Sequence, residues 1–127
     1  MAENINNIFV IDASFVLSYL LDEDNTTIDS IFEKQVKGEI YFISPSILKY
    51  EVGNALRTRL MRKKIKKAEA QRLYRFFLSI NIKEEPLNFY DVLDLTFKKN
   101  LSFYDASYLY LAKSKGVKLL TLDHSLK

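Results

Sequence analysis

Short apolar runs, too brief for helices and set apart by stretches of helical periodicity, constrain this chain more than any other feature. Ile8-Phe9-Val10-Ile11 is continuous and β-branched, as in a parallel strand covered on both faces. Ile40-Tyr41-Phe42-Ile43 and Val117 to Leu122 have the same character, and Ile80-Asn81-Ile82 offers a further short strand before the loop at Pro86. Between these runs, Phe15 to Leu21 and Thr26 to Lys37 read as helices, the second opened by Asn25 or Thr26 as cap. Ser44-Pro45 suits the entry to a helix from Ser46 to Lys64, with Leu48, Val52, Ala55, Leu56 and Leu60 on one stripe. After a break at Ile65-Lys66-Lys67, residues Leu73, Phe76, Phe77 and Ile80 recur at i, i+3, i+4, i+7. Phe89, Val92, Leu93 and Phe97 mark a fifth helix, and Tyr104 to Lys115 a sixth that Gly116 ends. Strands alternating with helices predict an α/β fold built on a mostly parallel sheet.

With 127 residues the chain can form one core but not two, so residues 1–127 are expected to be a single domain. Apolar residues make up 48%, which excludes a disordered chain. No apolar run approaches the roughly 20 residues needed to cross a bilayer. The start, Met1-Ala2-Glu3-Asn4, lacks the basic region of a signal peptide, so a soluble cytoplasmic protein is expected. The absence of cysteine removes disulfides, zinc-thiolate sites and cysteine nucleophiles together. Three glycines, none in a Gly-x-Gly-x-x-Gly turn, exclude a dinucleotide cofactor cradle.

Four acids stand where such a fold would place apolar or turning residues. Asp12 ends the first strand, Asp123 closes Leu119-Leu120-Thr121-Leu122, Glu51 interrupts a helix's inner face, and Asp105 sits in the first turn of the sixth helix. Ligands of open parallel sheets bind beyond the carboxyl ends of strands, and Asp12 and Asp123 both lie at such ends, on strands expected side by side. Asp105 precedes Leu109 by four residues and so faces the core side of its helix; Glu51 lies close to the inner stripe of its own. The four can therefore converge on one cleft. Two carboxylates about 5 Å apart at an effective dielectric near 20 repel by roughly 3 kcal/mol. Such a set takes up protons or holds a divalent cation. All-oxygen ligation favours Mg²⁺ or Mn²⁺ over Zn²⁺, and the chemistry that follows is hydrolysis of a phosphodiester. Each acid also has a plainer reading: Asp12 as a helix cap, Asp105 as a first-turn helix acid, Glu51 as an exposed ion-pair partner, Asp123 as the start of a turn.

A formal charge of +3 says little, but its distribution says more. Seven cations (Arg57, Arg59, Arg62, Lys63, Lys64, Lys66 and Lys67) follow one another without an acid, while acids cluster at Asp22-Glu23-Asp24. The stretch is either a polyanion contact or a solvated helix end whose cations suit the negative pole of the dipole.

Taken in order, four blocks resemble those of PIN-domain ribonucleases, in particular the VapC-type toxins of prokaryotic toxin–antitoxin pairs. They are Val10-Ile11-Asp12-Ala13-Ser14, Tyr50-Glu51-Val52-Gly53-Asn54-Ala55-Leu56, Ser102-Phe103-Tyr104-Asp105-Ala106 and Leu120-Thr121-Leu122-Asp123. The resemblance spans essentially the whole chain. It implies a three-layer α/β/α fold with four to five strands, and an acidic quartet of Asp12, Glu51, Asp105 and Asp123 that binds Mg²⁺ or Mn²⁺. It also implies that Ser14, Asn54 and Thr121 support the site through hydrogen bonds to metal-bound water or to the ligands. It implies further an RNA substrate, homodimers, and neutralisation by a small antitoxin protein. The basic residues Arg57, Arg59, Arg62, Lys63 and Lys64 would then guide the RNA backbone. Many relatives continue past the fourth acid with another helix and strand, whereas Lys127 follows Asp123 by four residues. The expected fold therefore has a shortened C-terminus, with Asp123 the least braced of the four.

Two other readings stay in view. One is a non-catalytic PIN-like module that binds RNA or protein through the same surface. The other, an aspartyl-phosphate enzyme with Asp12 as nucleophile, calls for a second aspartate two residues on, where the chain has Ser14. His124, the only histidine, is read as a surface residue. Tyr104, Tyr108, Tyr110, Phe76 and Phe77 are candidates for a dimer seam or an antitoxin groove, or else plain core.

Overall fold

The structure is a computed structural model that describes residues 5–21 and 24–127. Met1 to Asn4, where a signal peptide would begin, and Asp22 and Glu23 of the acidic run lie outside the described residues. The elements in chain order are β1 (Ile8–Ile11), α1 (Ala13–Leu20), α2 (Thr26–Val36), β2 (Tyr41–Ser44), α3 (Ile47–Met61) and α4 (Lys67–Ser79). They continue with β3 (Ile82–Glu84), α5 (Phe89–Lys99), α6 (Phe103–Lys115) and β4 (Lys118–Leu120). Short 3₁₀ turns occupy Ile5–Asn7 and His124–Leu126. No helix among the described residues is long and apolar enough to cross a membrane.

The four strands form one parallel sheet in the order β3-β2-β1-β4, with Val10 aligned between Ile43 and Leu119. This is the α/β fold expected from the strand and helix pattern. Passing from β1 to β2 to β3, the chain moves one way across the sheet; from β3 to β4 it jumps back beyond β1. Right-handed crossovers then put α1 to α4 on one face and α5 and α6 on the other, giving three layers. Val10, Ile11, Val16, Leu48, Val52, Tyr108 and Leu111 fill the core around the two central strands. The strand order reverses between β1 and β4, and a crevice opens beyond their carboxyl ends at such a point. Asp12 and Thr121 stand there, one residue past each strand.

Some boundaries differ from the sequence reading, each for a local reason. β3 starts at Ile82, because the Ile80 amide closes α4 by donating to the Phe77 carbonyl. β4 ends at Leu120, because the Leu122 and Asp123 amides donate to the hydroxyls of Ser14 and Thr121 instead of to a neighbouring strand. α3 ends at Met61 rather than Lys64. Lys63 adopts the left-handed conformation (φ 59°), and the amides of Lys63 and Lys64 bond back to the carbonyls of Leu60 and Arg59. That pair of bonds is a Schellman closure with lysine in glycine's usual place. The apolar stripe of α5 mostly faces outward: Val92 is buried, whereas Phe89, Leu93 and Phe97 are exposed.

Candidate functional site

Asp12 is the most tightly held of the acids. Buried at the end of β1, its carboxylate caps α1 by accepting from the Phe15 amide at 3.0 Å. Ser14 Oγ donates to Oδ1 at 2.7 Å, and the buried Thr121 hydroxyl donates to Oδ2. The Asp12 amide donates to the Leu120 carbonyl, and the Ser14 hydroxyl in turn accepts from the Leu122 amide at 2.9 Å. These bonds lock the ends of β1 and β4 together. Burying a carboxylate without such donors costs several kcal/mol.

Glu51 lies half-buried on α3, with Oε1 accepting from the Tyr108 hydroxyl at 2.5 Å. Burial pushes its carboxyl above the ordinary range; the Tyr108 bond opposes that rise, and the charges of Asp105 and Asp12 add to it. Asp105 sits in the first turn of α6, its amide donating to the capping hydroxyl of Ser102. Burial, followed by the charge of Asp123, raises its carboxyl; a bond from the Ser102 hydroxyl to that carboxyl opposes this, and Asp12 adds a further increment. Asp123 moves the other way, lowered by bonds from the Ser125 hydroxyl and amide, because its Oδ1 caps the 3₁₀ turn that follows. That turn, anchored by buried Leu126, holds an acid expected to be loosely braced.

The four acids thus share one electrostatic neighbourhood at the carboxyl edge of the sheet. Among the described residues, however, no three acidic or histidine side chains stand close enough to form a ready cage for an ion. Three of the plainer readings are also realised, since Asp12 and Asp123 both cap helical turns and Asp105 is a first-turn helix acid.

Of the aromatics left open between an interface and the core, Tyr108 takes the core place, and its part in the site is what the sequence did not indicate: its ring is almost wholly buried (1% exposed) and its hydroxyl meets Glu51. Burial first, and then the Glu51 bond and the surrounding carboxylates, push its hydroxyl far above the normal tyrosine range, so it stays a donor. Its place three residues after Asp105, on the same helix face, was the available signal. Phe77 is likewise core, while Phe76 and Tyr104 are exposed and Tyr110 is half-buried. Of the supporting residues, Ser14 and Thr121 bond directly to Asp12, but Asn54 is exposed and hydrogen-bonds to none of the four acids. His124 is exposed beside Asp123.

The basic stretch lies at the far end of α3 from the acids. Eleven residues of helix separate Glu51 from Arg62, on the order of 16 Å along the axis. Arg57, Arg62, Lys63 and Lys64 are exposed, and Arg59 is half-buried. A groove of about 1070 Å³ runs between α3 and α4 past Tyr50, Arg57, Tyr74 and Arg75, and none of the four acids lines it. Gly53 lines it opposite the Tyr74 ring, where a Cβ would make only ordinary van der Waals contact.

Exonuclease VapC9 of Pyrobaculum aerophilum is 38% identical over 78 residues, which span 61% of this chain and 58% of that protein. Ribonuclease VapC3 of the same organism is 29% identical over 92% of this chain and 90% of its own length. Among solved structures, the P. aerophilum protein PAE2754 matches with a TM-score of 0.73 at 28% identity, covering 93% of this chain and 82% of its own. VapC20 of Mycobacterium tuberculosis, a Sarcin-Ricin loop cleaving toxin, shares the fold at 11% identity with a TM-score of 0.64, over 93% of this chain and 92% of its own. Residues 9–127 match the family model of the PIN domain, and the chain belongs to the PIN-domain family.

Proposed function

We propose that the chain, acting as one domain over residues 1–127, is a divalent-metal-dependent endoribonuclease that hydrolyses RNA phosphodiester bonds. In this reading it works in the cytoplasm as the toxin of a toxin–antitoxin pair. The observation that carries the reading is the gathering of Asp12, Glu51 and Asp105 at the sheet's carboxyl edge, where burial first and then the neighbouring acids raise the carboxyls of Glu51 and Asp105. Carboxylates raised by burial and by nearby like charge are relieved by a cation. The names of the relatives, an exonuclease and a ribonuclease, support phosphodiester chemistry.

The donors fit Mg²⁺ or Mn²⁺ in kind. All are oxygens, and Mg²⁺ is ordinarily held by one or two carboxylates while keeping several waters, so three carboxylates at direct spacing are not required. The chemistry such an ion supplies when bound is activation of water and neutralisation of charge on the phosphodiester. The chain's own residues do the positioning. Asp12 is fixed by Phe15, Ser14 and Thr121 in one orientation. Glu51 has one oxygen on Tyr108, which leaves the other for a ligand. Asp105 and Asp123 complete the acidic set, and Arg57, Arg59, Arg62, Lys63 and Lys64 draw the RNA backbone along α3. A homodimer and a small antitoxin protein belong to the same reading; the groove between α3 and α4 suits a helical peptide.

The test is cleavage of single-stranded and structured RNA with Mg²⁺ or Mn²⁺ present, comparing wild type with Asp12→Asn and Asp105→Asn. The expected result is metal-dependent cleavage that both variants lose while their melting curves stay cooperative. Full cleavage by either folded variant rules the reading out. One observation favours the second reading, a non-catalytic RNA- or protein-binding module: an Asp123 oxygen is already committed to its own turn. Calorimetry with Mn²⁺ separates the two, because that module leaves the cleft empty at millimolar metal.

A further inference from the structure

A second pocket lies on the same edge of the sheet, over the β2/β3 half, where the acids occupy the β1/β4 half. Its volume is about 240 Å³, below the roughly 300 Å³ at which sites for drug-sized ligands begin, so it suits a single ring system. Ser46 and Ile47 line it from the start of α3, Glu85 from the β3–α5 connection, Phe89 from the start of α5, and Phe103 and Tyr104 from the start of α6. The pocket adjoins the acids on two sides. Ile47 is one helical turn before Glu51 on the same face of α3, and Tyr104 directly precedes Asp105.

Three large aromatic rings around this pocket remain open to solvent: Phe89 at 62%, Tyr104 at 56% and Phe103 at 37% exposure. The Phe89 and Phe103 rings lie 6.3 Å apart at 30°, forming a tilted wall rather than a closed stack. Polar groups sit at the rim. The Ser46 hydroxyl, at the N-cap of α3, makes no capping bond. The Glu85 carboxylate is held in place by Lys83 at 3.3 Å and Lys115 at 3.6 Å. Proteins that take single-stranded RNA splay bases onto exposed aromatic rings and read their edges with nearby polar groups.

We propose that this pocket is a nucleobase subsite, receiving the unstacked base of a nucleotide next to the phosphodiester that is cleaved at the acids. The proposal rests on the ribonuclease reading and extends it to how the substrate is gripped. A cation held by the acids would then engage the phosphate and the aromatic pocket a base, so that the enzyme selects unpaired RNA. An apolar side chain of a protein partner is the competing occupant, and the experiment tells the two apart.

The experiment measures binding of a short single-stranded RNA by fluorescence anisotropy without divalent metal, using the full chain. A single abasic residue is walked through successive positions of the oligomer. For wild type, one position is expected to lose about ten-fold in affinity, the size of one base–aromatic stack. Tyr104→Ala and Phe89→Ala should each weaken the intact oligomer by a similar factor. At that position the abasic substitution should then cost the variants nothing more, since the same contact is already gone. Phe89 is a surface residue, so Phe89→Ala is expected to keep its fold even if Tyr104→Ala does not. Equal binding of intact and abasic oligomers at every position, or wild-type affinity in both variants, overturns the subsite and leaves the pocket to a protein partner. If wild type still cleaves RNA in a manner dependent on Asp12, the nuclease reading survives that failure. If wild type neither binds nor cleaves RNA, both fall.

Discussion

Asp12 and the pair Glu51 and Asp105 carry the same charge a short distance apart, yet the fold treats them in opposite ways. Around Asp12 it supplies donors: a helix amide and two hydroxyls, one of them buried, from both sides of the β1/β4 seam. Around Glu51 and Asp105 it supplies partial burial, one tyrosine hydroxyl, one serine hydroxyl and the field of the other acids. The bonds to Asp12 therefore hold the ends of β1 and β4 together. The other two are held at a cost, with their carboxyls raised. A buried acid with its own donors is part of the architecture, whereas acids short of donors sit against the field of their neighbours.

The contrast yields predictions of opposite sign. Asp12→Ala leaves the Thr121 hydroxyl and the Phe15 amide without an acceptor, so a loss of about 2–4 kcal/mol is expected, together with loss of cleavage. Urea denaturation checks it through a lower midpoint at unchanged slope. Thr121→Val removes the bond that ties β4 to Asp12 and should cost about 1–2 kcal/mol on the same assay. A cost near zero would break the claim that Asp12 is anchored across the seam.

Glu51→Gln and Asp105→Asn should stabilise the metal-free protein. A carboxyl whose folded pKa is raised binds more protons in the native than in the unfolded state, so native stability falls as pH rises above the unfolded carboxyl value near 4. Removing the charge restores that stability at neutral pH, and the gain fades as pH approaches 4. Melting at pH 7 is expected to rise by roughly 1–4 °C, and at pH 4 by almost nothing. Added Mn²⁺ should invert the order, raising wild type above both variants. The smallest effect belongs to Lys63→Gly at the basic turn. Relieving a left-handed lysine should add under about 1 kcal/mol, with no change in the pH profile. A changed profile would mean that the basic turn and the acids are not separate regions.

Much of the architecture was legible in the chain. β-branched runs fixed β1 and β2, and a strand-terminal acid after each of two neighbouring strands pointed to the crevice. What stayed hidden depends on packing across elements. Tyr108 read as a surplus aromatic because nothing local says that its hydroxyl reaches α3. The Asp123 cap needs Ser125 folded into a 3₁₀ turn, which the tripeptide His124-Ser125-Leu126 scarcely signals. The period marked α5 as a helix, but period alone does not say which side of an apolar stripe meets a neighbour; here Val92 turns inward and Phe97 outward.

The central claim is that the acids gathered at the carboxyl edge bind a hard divalent ion. Titration of the protein with Mn²⁺, followed by electron paramagnetic resonance of the free ion, measures this without any substrate. The account predicts saturable binding below millimolar Mn²⁺ at pH 7, weakened at least ten-fold by Asp105→Asn and lost as pH falls into the carboxyl range. Free ion that rises in step with added Mn²⁺, or binding that is the same in Asp105→Asn as in wild type, would contradict it.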